Sequence, residues 1–264
     1  MTAGTIRVGI GGWDFDPWRE TFYPPKLAKA KQLEHASRQL SAIEINATYY
    51  RTQSPALFER WAKTVPDGFK FAVKASRFCT VRKLLAEGAD SLRLFCNQGI
   101  TALGDRLGPI LWQFMATKKF DGDDFGAFLK LLPEKQDGVL LQHAIEVRHE
   151  SFRDPAFVAM CRDAGVAIVF GDGADYPLVP DISGGIVYAR LMRAEVEIEQ
   201  GYPPDALDRW VNVARQWAAG ESPGGFPYVA EPAPVQPRDT YVFFIAAAKE
   251  RNPAAAKALI ERLR

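Results

Sequence analysis

Short apolar, β-branched runs alternate with helical patterns along the chain, and this alternation is the feature that most limits what it can fold into. There are eight such runs: Ile6–Ile10, Ala42–Asn46, Phe69–Lys74, Ile110–Phe114, Ala144–Arg148, Val166–Phe170, Ile186–Leu191 and Thr240–Ile245. Strands separated by helical stretches build βαβ units and hence a parallel sheet. Eight is the number that closes such a sheet into a barrel, and 264 residues is an ordinary length for one. A doubly wound open sheet is the competing arrangement, but no GxGxxG turn leads into a helix. The expectation is a single TIM-like (β/α)8 barrel domain over residues 1–264, with parallel strands.

The helical segments fall between the runs. Ser54 followed by Pro55 reads as an N-cap with proline in the first turn, opening a helix to Thr64. Apolar residues at three- and four-residue spacing mark Asp90–Asp105, Asp123–Leu132, Pro155–Ala164, Asp205–Ala219 and Pro253–Leu263, and the later part of Leu27–Leu40. Two connections are long. Gly11–Lys31, after the first strand, carries Trp13, Phe15, Trp18, Phe22 and Tyr23, and is expected to lie ordered over the mouth. Gly220–Asp239, before the eighth strand, is rich in proline and glycine without period and reads as a mobile flap or a disordered stretch. Met1 to Gly4 is expected to fray.

Side chains alternate faces along a strand. Ile43 and Ile45 therefore face the helices, and Glu44 and Asn46 face the barrel interior. The same parity puts Lys74, Gln113, Glu146, Arg148, Tyr188 and Arg190 inside, near the C-terminal strand ends, with Asp172 and His149 just beyond theirs. Trp13 shares the inward parity of Gly9 and Gly11 and is expected to wall a ligand. Isolated buried charges are costly, so these groups must pair with one another or meet a ligand. Active sites of such barrels gather at this end.

Charge and cysteine usage remove several classes. The net charge of +1 gives no global basic field, so nucleic acid is not favoured as a partner. Cys79, Cys96 and Cys161 are odd in number and show no CxxC spacing, which argues against a disulfide framework or a structural zinc site. The opening MTAGTIRVGIGGW has no leader pattern, and no run approaches the roughly 18 apolar residues of a membrane span. The expected location is cytoplasmic, with no membrane partner; the oligomeric state is open.

Glu44 and Glu146, three strands apart, form the candidate catalytic acid/base pair. Lys74, Arg148 and Arg190 form the candidate anion clamp, with Trp13, Asn46, Gln113, His149, Asp172 and Tyr188 completing the substrate-binding set. The alternative is a set of internal salt bridges. Three histidines (His35, His143, His149) are too few for a multi-zinc site, and no cofactor is expected. The remaining metal arrangement is a single Mg2+ or Mn2+ held by Glu44, Glu146 and Asp172, which the neighbouring arginines would repel. The leading expectation is an enzyme using general acid/base chemistry on a small or medium anionic, phosphate-bearing substrate. The alternative is a non-catalytic barrel that captures an anionic metabolite or a nucleic-acid end.

At these residues the chain resembles the YecE-like family, barrel proteins of unknown function. The resemblance runs through Gly11-Gly12-Trp13, Phe22-Tyr23-Pro24, Glu44-Ile45-Asn46 with Thr48-Tyr49-Tyr50, and Ser54-Pro55 with Trp61. It continues through Phe69-Lys70-Phe71, Val73-Lys74, Leu107-Gly108-Pro109 leading to Gln113, Glu146-Val147-Arg148-His149 before Phe152, and Tyr188-Ala189-Arg190-Leu191 with Tyr202. It implies a TIM-like barrel with a polar site and no assigned reaction. Two stretches depart from it: Phe114-Met115-Ala116 stands where the family often has Leu-Pro-Pro, and Phe244-Ile245-Ala246 where it has Phe-Asn-Asn.

Overall fold

The computed structural model describes residues 2–264. Among them, eight parallel strands close into a barrel in the order β1-β8-β7-β6-β5-β4-β3-β2. The strands are β1 Ile6–Gly11, β2 Ala42–Ile45, β3 Lys70–Lys74 and β4 Leu107–Gln113, then β5 His143–Glu146, β6 Ala167–Gly171, β7 Ile186–Leu191 and β8 Asp239–Phe244. The helices are α1 Trp18–Thr21, α2 Gln32–Gln39, α3 Ala47–Tyr50, α4 Pro55–Thr64 and α5 Arg77–Thr80, then α6 Ala89–Cys96, α7 Gly122–Leu131, α8 Pro155–Asp163, α9 Pro204–Ala219 and α10 Asn252–Leu263.

Local chemistry accounts for these limits. At α4 the Ser54 hydroxyl accepts the Leu57 N–H at 3.3 Å and Pro55 occupies the first turn. The stretch expected as one helix over Asp90–Asp105 breaks after Cys96, because Gly99 turns at φ +98 and leads into a 3₁₀ segment, Ile100–Arg106. A Cβ at Gly99 would meet the Pro55 ring at 2.6 Å, so α4 packs where only glycine fits. A two-strand ribbon, Lys135–Gln136 with Val139–Leu140, joins through Asp137-Gly138, both at positive φ. That dipeptide is a strong hairpin signal and is legible in the sequence.

Strand parity divides the core into two layers. Ile43, Ile45, Phe71, Val73, Trp112 and Phe114 pack outward among the helices, while Ala42, Ala72, Leu111, Ala144, Val169, Tyr188, Tyr241 and Phe243 fill the barrel. Alanines on β2, β3, β5 and β6 leave room for the large rings of β7 and β8, where Tyr188 and Phe243 lie 5.1 Å apart. Gly9 lets β1 approach β2, since a Cβ there would fall 1.9 Å from the Ala42 carbonyl oxygen.

Both long connections are packed. In the first, Trp18 is fully buried and its indole N–H donates to the Lys249 carbonyl at 2.8 Å, while the Tyr23 hydroxyl donates to the Trp13 carbonyl at 2.5 Å. The second, expected as a flap or a disordered stretch, is packed as well. Between β6 and β7 no helix occurs among the described residues, and the 220–238 excursion lies against Phe170 and α9 at that place. It is fixed by Asp181, whose carboxylate accepts Val229 N–H and Ala230 N–H, and by buried Arg238, which donates to four carbonyls: Gly184, Gly220, Pro234 and Gln236. The expected fraying stops short of Gly4, whose N–H donates to the Ala218 carbonyl at 2.9 Å; Met1 lies outside the described residues. No helix among the described residues is long and apolar enough to cross a membrane.

Candidate functional site

The inward-facing polar residues meet at the C-terminal mouth in a continuous ion-pair network. Arg190 on β7 is its centre. Its Nε and Nη2 donate to the two oxygens of Glu44 on β2, each at 3.1 Å, and its Nη1 donates to Glu146 on β5 at 2.5 Å. Tyr188, one turn of the pleat below Arg190, donates its hydroxyl to Glu44 at 2.7 Å. Gln113 on β4 and Arg148 beyond β5 each donate to Glu146 at 2.8 Å. The guanidinium of Arg190 thus fills the gap between two carboxylates on opposite sides of the barrel.

This geometry bears on the expected acid/base pair. Glu44 is fully buried with both oxygens engaged by Arg190 and Tyr188. Burial would raise the pKa of Glu146, but Arg190, Arg148, Gln113 and Lys74 outweigh it and hold the carboxyl at about 2. A group ionised across the neutral range, with both oxygens committed to donors, is a poor acid and a weak base. The network also engages two members of the expected anion clamp, as the salt-bridge alternative has it. Arg190 turns its donors to the carboxylates, and Arg148 pairs with Glu146 while its guanidinium lies 4.3 Å from the centre of the Tyr176 ring.

Lys74 is different. It points inward from β3, is 9% exposed, and its ammonium forms no ion pair or hydrogen bond among the described residues. That ammonium lies 4.3 Å above the Tyr49 ring. Burial and the neighbouring Arg190 lower its pKa to about 8. Two carboxylates face three cations here, so the cluster carries one positive charge in excess, and Lys74 is the cation left unmatched.

A cavity of 560 Å³ opens beside the network, lined by Arg190 and Asn46 and by Gly11, Trp13, Asp14, Tyr50, Ala246, Lys249 and Asn252. Asn46 donates to the Glu44 carbonyl at 3.3 Å. Trp13 lines this cavity but does not continue the inward parity of β1. Gly12 turns the chain at φ +75, and the Trp13 ring packs edge-on against Trp61 at 5.2 Å and near Phe71, both outer-layer residues. His149 serves a local turn, its Nδ1 accepting the Ser151 N–H at 3.1 Å. Asp172 lies apart from the network, lining a different cavity, and one of its oxygens accepts the Met192 N–H at 2.5 Å. Glu44, Glu146 and Asp172 therefore do not converge as the expected Mg2+ or Mn2+ ligands, and Arg190 occupies the space between the first two. No cluster of three His, Cys, Asp or Glu fit to hold a metal ion occurs among the described residues.

Several contributors were not singled out from the sequence. Tyr49 stood in the Thr48-Tyr49-Tyr50 motif, but its place over Lys74 depends on α3 turning back to the mouth. Lys249 and Asn252 arrive from beyond β8 with no motif to mark them. Asn252 is 1% exposed, its Nδ2 donates to the Ala246 carbonyl, and its Oδ1 has no partner among the described residues. Ala246, the last position of the departure from Phe-Asn-Asn, and Ala247 after it both take positive φ; at Ala246 asparagine would tolerate that conformation better than alanine.

Comparison with known proteins gives a consistent picture. The family described as "Protein of unknown function DUF72" matches residues 7–264. A UPF0759 protein of Bacillus subtilis (strain 168), YunF, is 38% identical over 71 residues, a stretch that is 26% of this chain and 24% of that protein. A DUF72 family structure from Thermotoga maritima MSB8 superposes with a TM-score of 0.71 at 21% identity, covering 97% of each chain. One from Enterococcus faecalis V583 gives 0.68 at 16% identity, covering 98% of this chain and 95% of that one. At these identities the structural likeness concerns the fold.

Proposed function

The chain belongs to the DUF72 family of barrels of unknown function, and from that premise we propose that it is an enzyme acting on a small or medium anionic, phosphate-bearing substrate at the barrel mouth. Lys74 is the proton-transfer group in this reading. Glu44 and Glu146 are positioning residues that hold Arg190 and Arg148, and Gln113 and Tyr188 orient those carboxylates.

The observation that carries the reading is the unmatched ammonium of Lys74. Every other charge in the network has a partner, so Lys74 is the network cation left for an arriving anion in a site of low dielectric, where such an attraction is strongest. Lys249, whose ammonium lies over the Phe15 ring and forms no ion pair among the described residues, lines the adjoining cavity. With a pKa of about 8, Lys74 is mostly protonated at neutral pH. It binds an anion as ammonium, then gives up and recovers a proton near the working pH, which is what general acid catalysis needs. The cavity beside Arg190 and Asn46 accommodates the rest of the substrate.

A thermal-shift screen of phosphorylated metabolites on the wild type and Lys74→Met tests this. A ligand at 100 times its Kd adds about 2.7 kcal/mol, roughly 5–10 °C in Tm for a chain near this size. That shift is expected for the wild type below about pH 8, weakening above it as Lys74 loses its proton, and absent in Lys74→Met. An equal shift in both proteins refutes the reading. Saturation of both glutamates favours a second reading, a binding barrel without turnover. Under it a ligand found by the screen is recovered chemically unchanged after prolonged incubation with the protein.

A further inference from the structure

A second cavity, of 470 Å³, opens at the C-terminal end of β6 between α9 and the 220–238 excursion. Its walls are aromatic: the Trp210 and Phe226 rings are nearly parallel, 15° between planes with centroids 6.4 Å apart, and the Arg209 guanidinium lies 5.5 Å from the Phe226 centroid. Both rings remain partly exposed, so they cover β6 without closing the space. Asp172 also lines the cavity and is 8% exposed. One oxygen takes the Met192 N–H, and the other makes no hydrogen bond and no ion pair among the described residues. Exposed Arg193 and Arg209 stand at the rim with Glu195; Arg193 Nε donates to the Asp172 carbonyl at 2.6 Å, which leaves its terminal nitrogens for a ligand.

The fold does not require this arrangement. A shielded carboxylate oxygen with no hydrogen bond or ion pair, eased only by the Met192 N–H on its partner oxygen and the nearby charge of Arg193, is costly to a fold, and an apolar side chain would seal this wall better. Burial raises the Asp172 pKa to about 6, which is consistent with that penalty. Flat aromatic walls fit a planar ring, an unpaired carboxylate oxygen fits adjacent N–H donors, and two rim arginines fit an anionic substituent.

We propose that this cavity binds a planar nitrogen heterocycle carrying a phosphate, with the ring against Trp210 and Phe226, its N–H edge on Asp172 and the phosphate at Arg193 and Arg209. A guanine nucleotide matches this pattern, because its ring edge presents two N–H groups side by side. The site is separate from the mouth but touches it through Tyr176, which lines the cavity and carries Arg148 on its ring.

Isothermal titration with guanosine monophosphate, guanosine, adenosine monophosphate and inorganic phosphate tests the assignment. The guanine nucleotide is expected to bind at least tenfold tighter than the adenine nucleotide and than guanosine. Asp172→Asn, which exchanges an acceptor for a donor at nearly constant shape, is expected to weaken it by tenfold or more, and Phe226→Leu similarly, with Tm confirming that each variant folds. No binding at millimolar nucleotide overturns the proposal. So does inorganic phosphate binding as well as the nucleotide. Loss of nucleotide binding in Lys74→Met with retention in Asp172→Asn also overturns it, by moving the ligand to the mouth; that result leaves the anion reading of the mouth standing.

Discussion

Lys74 shows how one residue can work against the fold that holds it. Its ammonium is buried beside Arg190 and Arg148, and its pKa falls to about 8. A lysine whose folded pKa lies below its ordinary value binds fewer protons folded than unfolded between the two. Stability from this group therefore rises with pH from about 8 toward the ordinary lysine range, and the charged form opposes folding below it. Lys74→Met keeps the bulk and removes the charge, so at pH 7 it is expected to gain on the order of 1–3 kcal/mol. Urea unfolding measures this, and a loss of stability would mean that the ammonium holds the network together. Strand parity located this residue, as it located Glu44, Gln113, Glu146, Tyr188 and Arg190, because alternation is a local property of extended chain. Parity could not say which charges would pair. Arg190 meets Glu44 across 146 positions of sequence, and only barrel closure sets that distance.

The 220–238 excursion is the element least legible from sequence. Proline and glycine without period carry no local preference, so the stretch reads as a flap or as disorder, yet it is anchored from far away in the chain. Asp181 accepts Val229 N–H from 48 positions earlier and Arg162 donates to the Glu231 carbonyl, while Arg238, the excursion's own last residue and only 2% exposed, ties three of its carbonyls to Gly184. Asp181→Ala leaves two backbone donors without that acceptor and is expected to cost about 1–3 kcal/mol. Limited proteolysis should then cut within residues 221–237 much faster than in the wild type. Unchanged cleavage and Tm would show that Arg238, Arg162 and the packing of Phe226 hold the excursion without Asp181. By contrast, the α4 N-cap and the Asp137-Gly138 hairpin are local devices, each complete within a few neighbouring residues, and so each is legible in the sequence. Nothing distant in the chain is needed to set either one.

Across the whole molecule, the mouth network couples four strands. Glu146 on β5 is held at about 2 by Arg190 of β7, Arg148 and Gln113 of β4 against the opposing effect of burial. A carboxyl with a lowered folded pKa contributes stability that is present above its ordinary range and lost as pH falls toward 2. Glu146→Gln removes one partner from two buried or half-buried arginines and is expected to destabilise by about 3–5 kcal/mol at pH 7. The gap should narrow as pH drops from 4.5 toward 2, since a protonated glutamate resembles glutamine. Chemical denaturation across that range measures it, and a gap that stays constant would refute the assigned pairing.

The sequence by itself determined the parallel barrel, the strand count and the direction of each polar side chain on the strands, because periodicity and capping act over a few residues. Only the tertiary structure decided that the two glutamates are bound to arginines, that Lys74 is left unmatched, and that Asp172 faces a second cavity. Those outcomes depend on distances between strands remote in sequence, and a charge has no partner until closure brings one within hydrogen-bond reach.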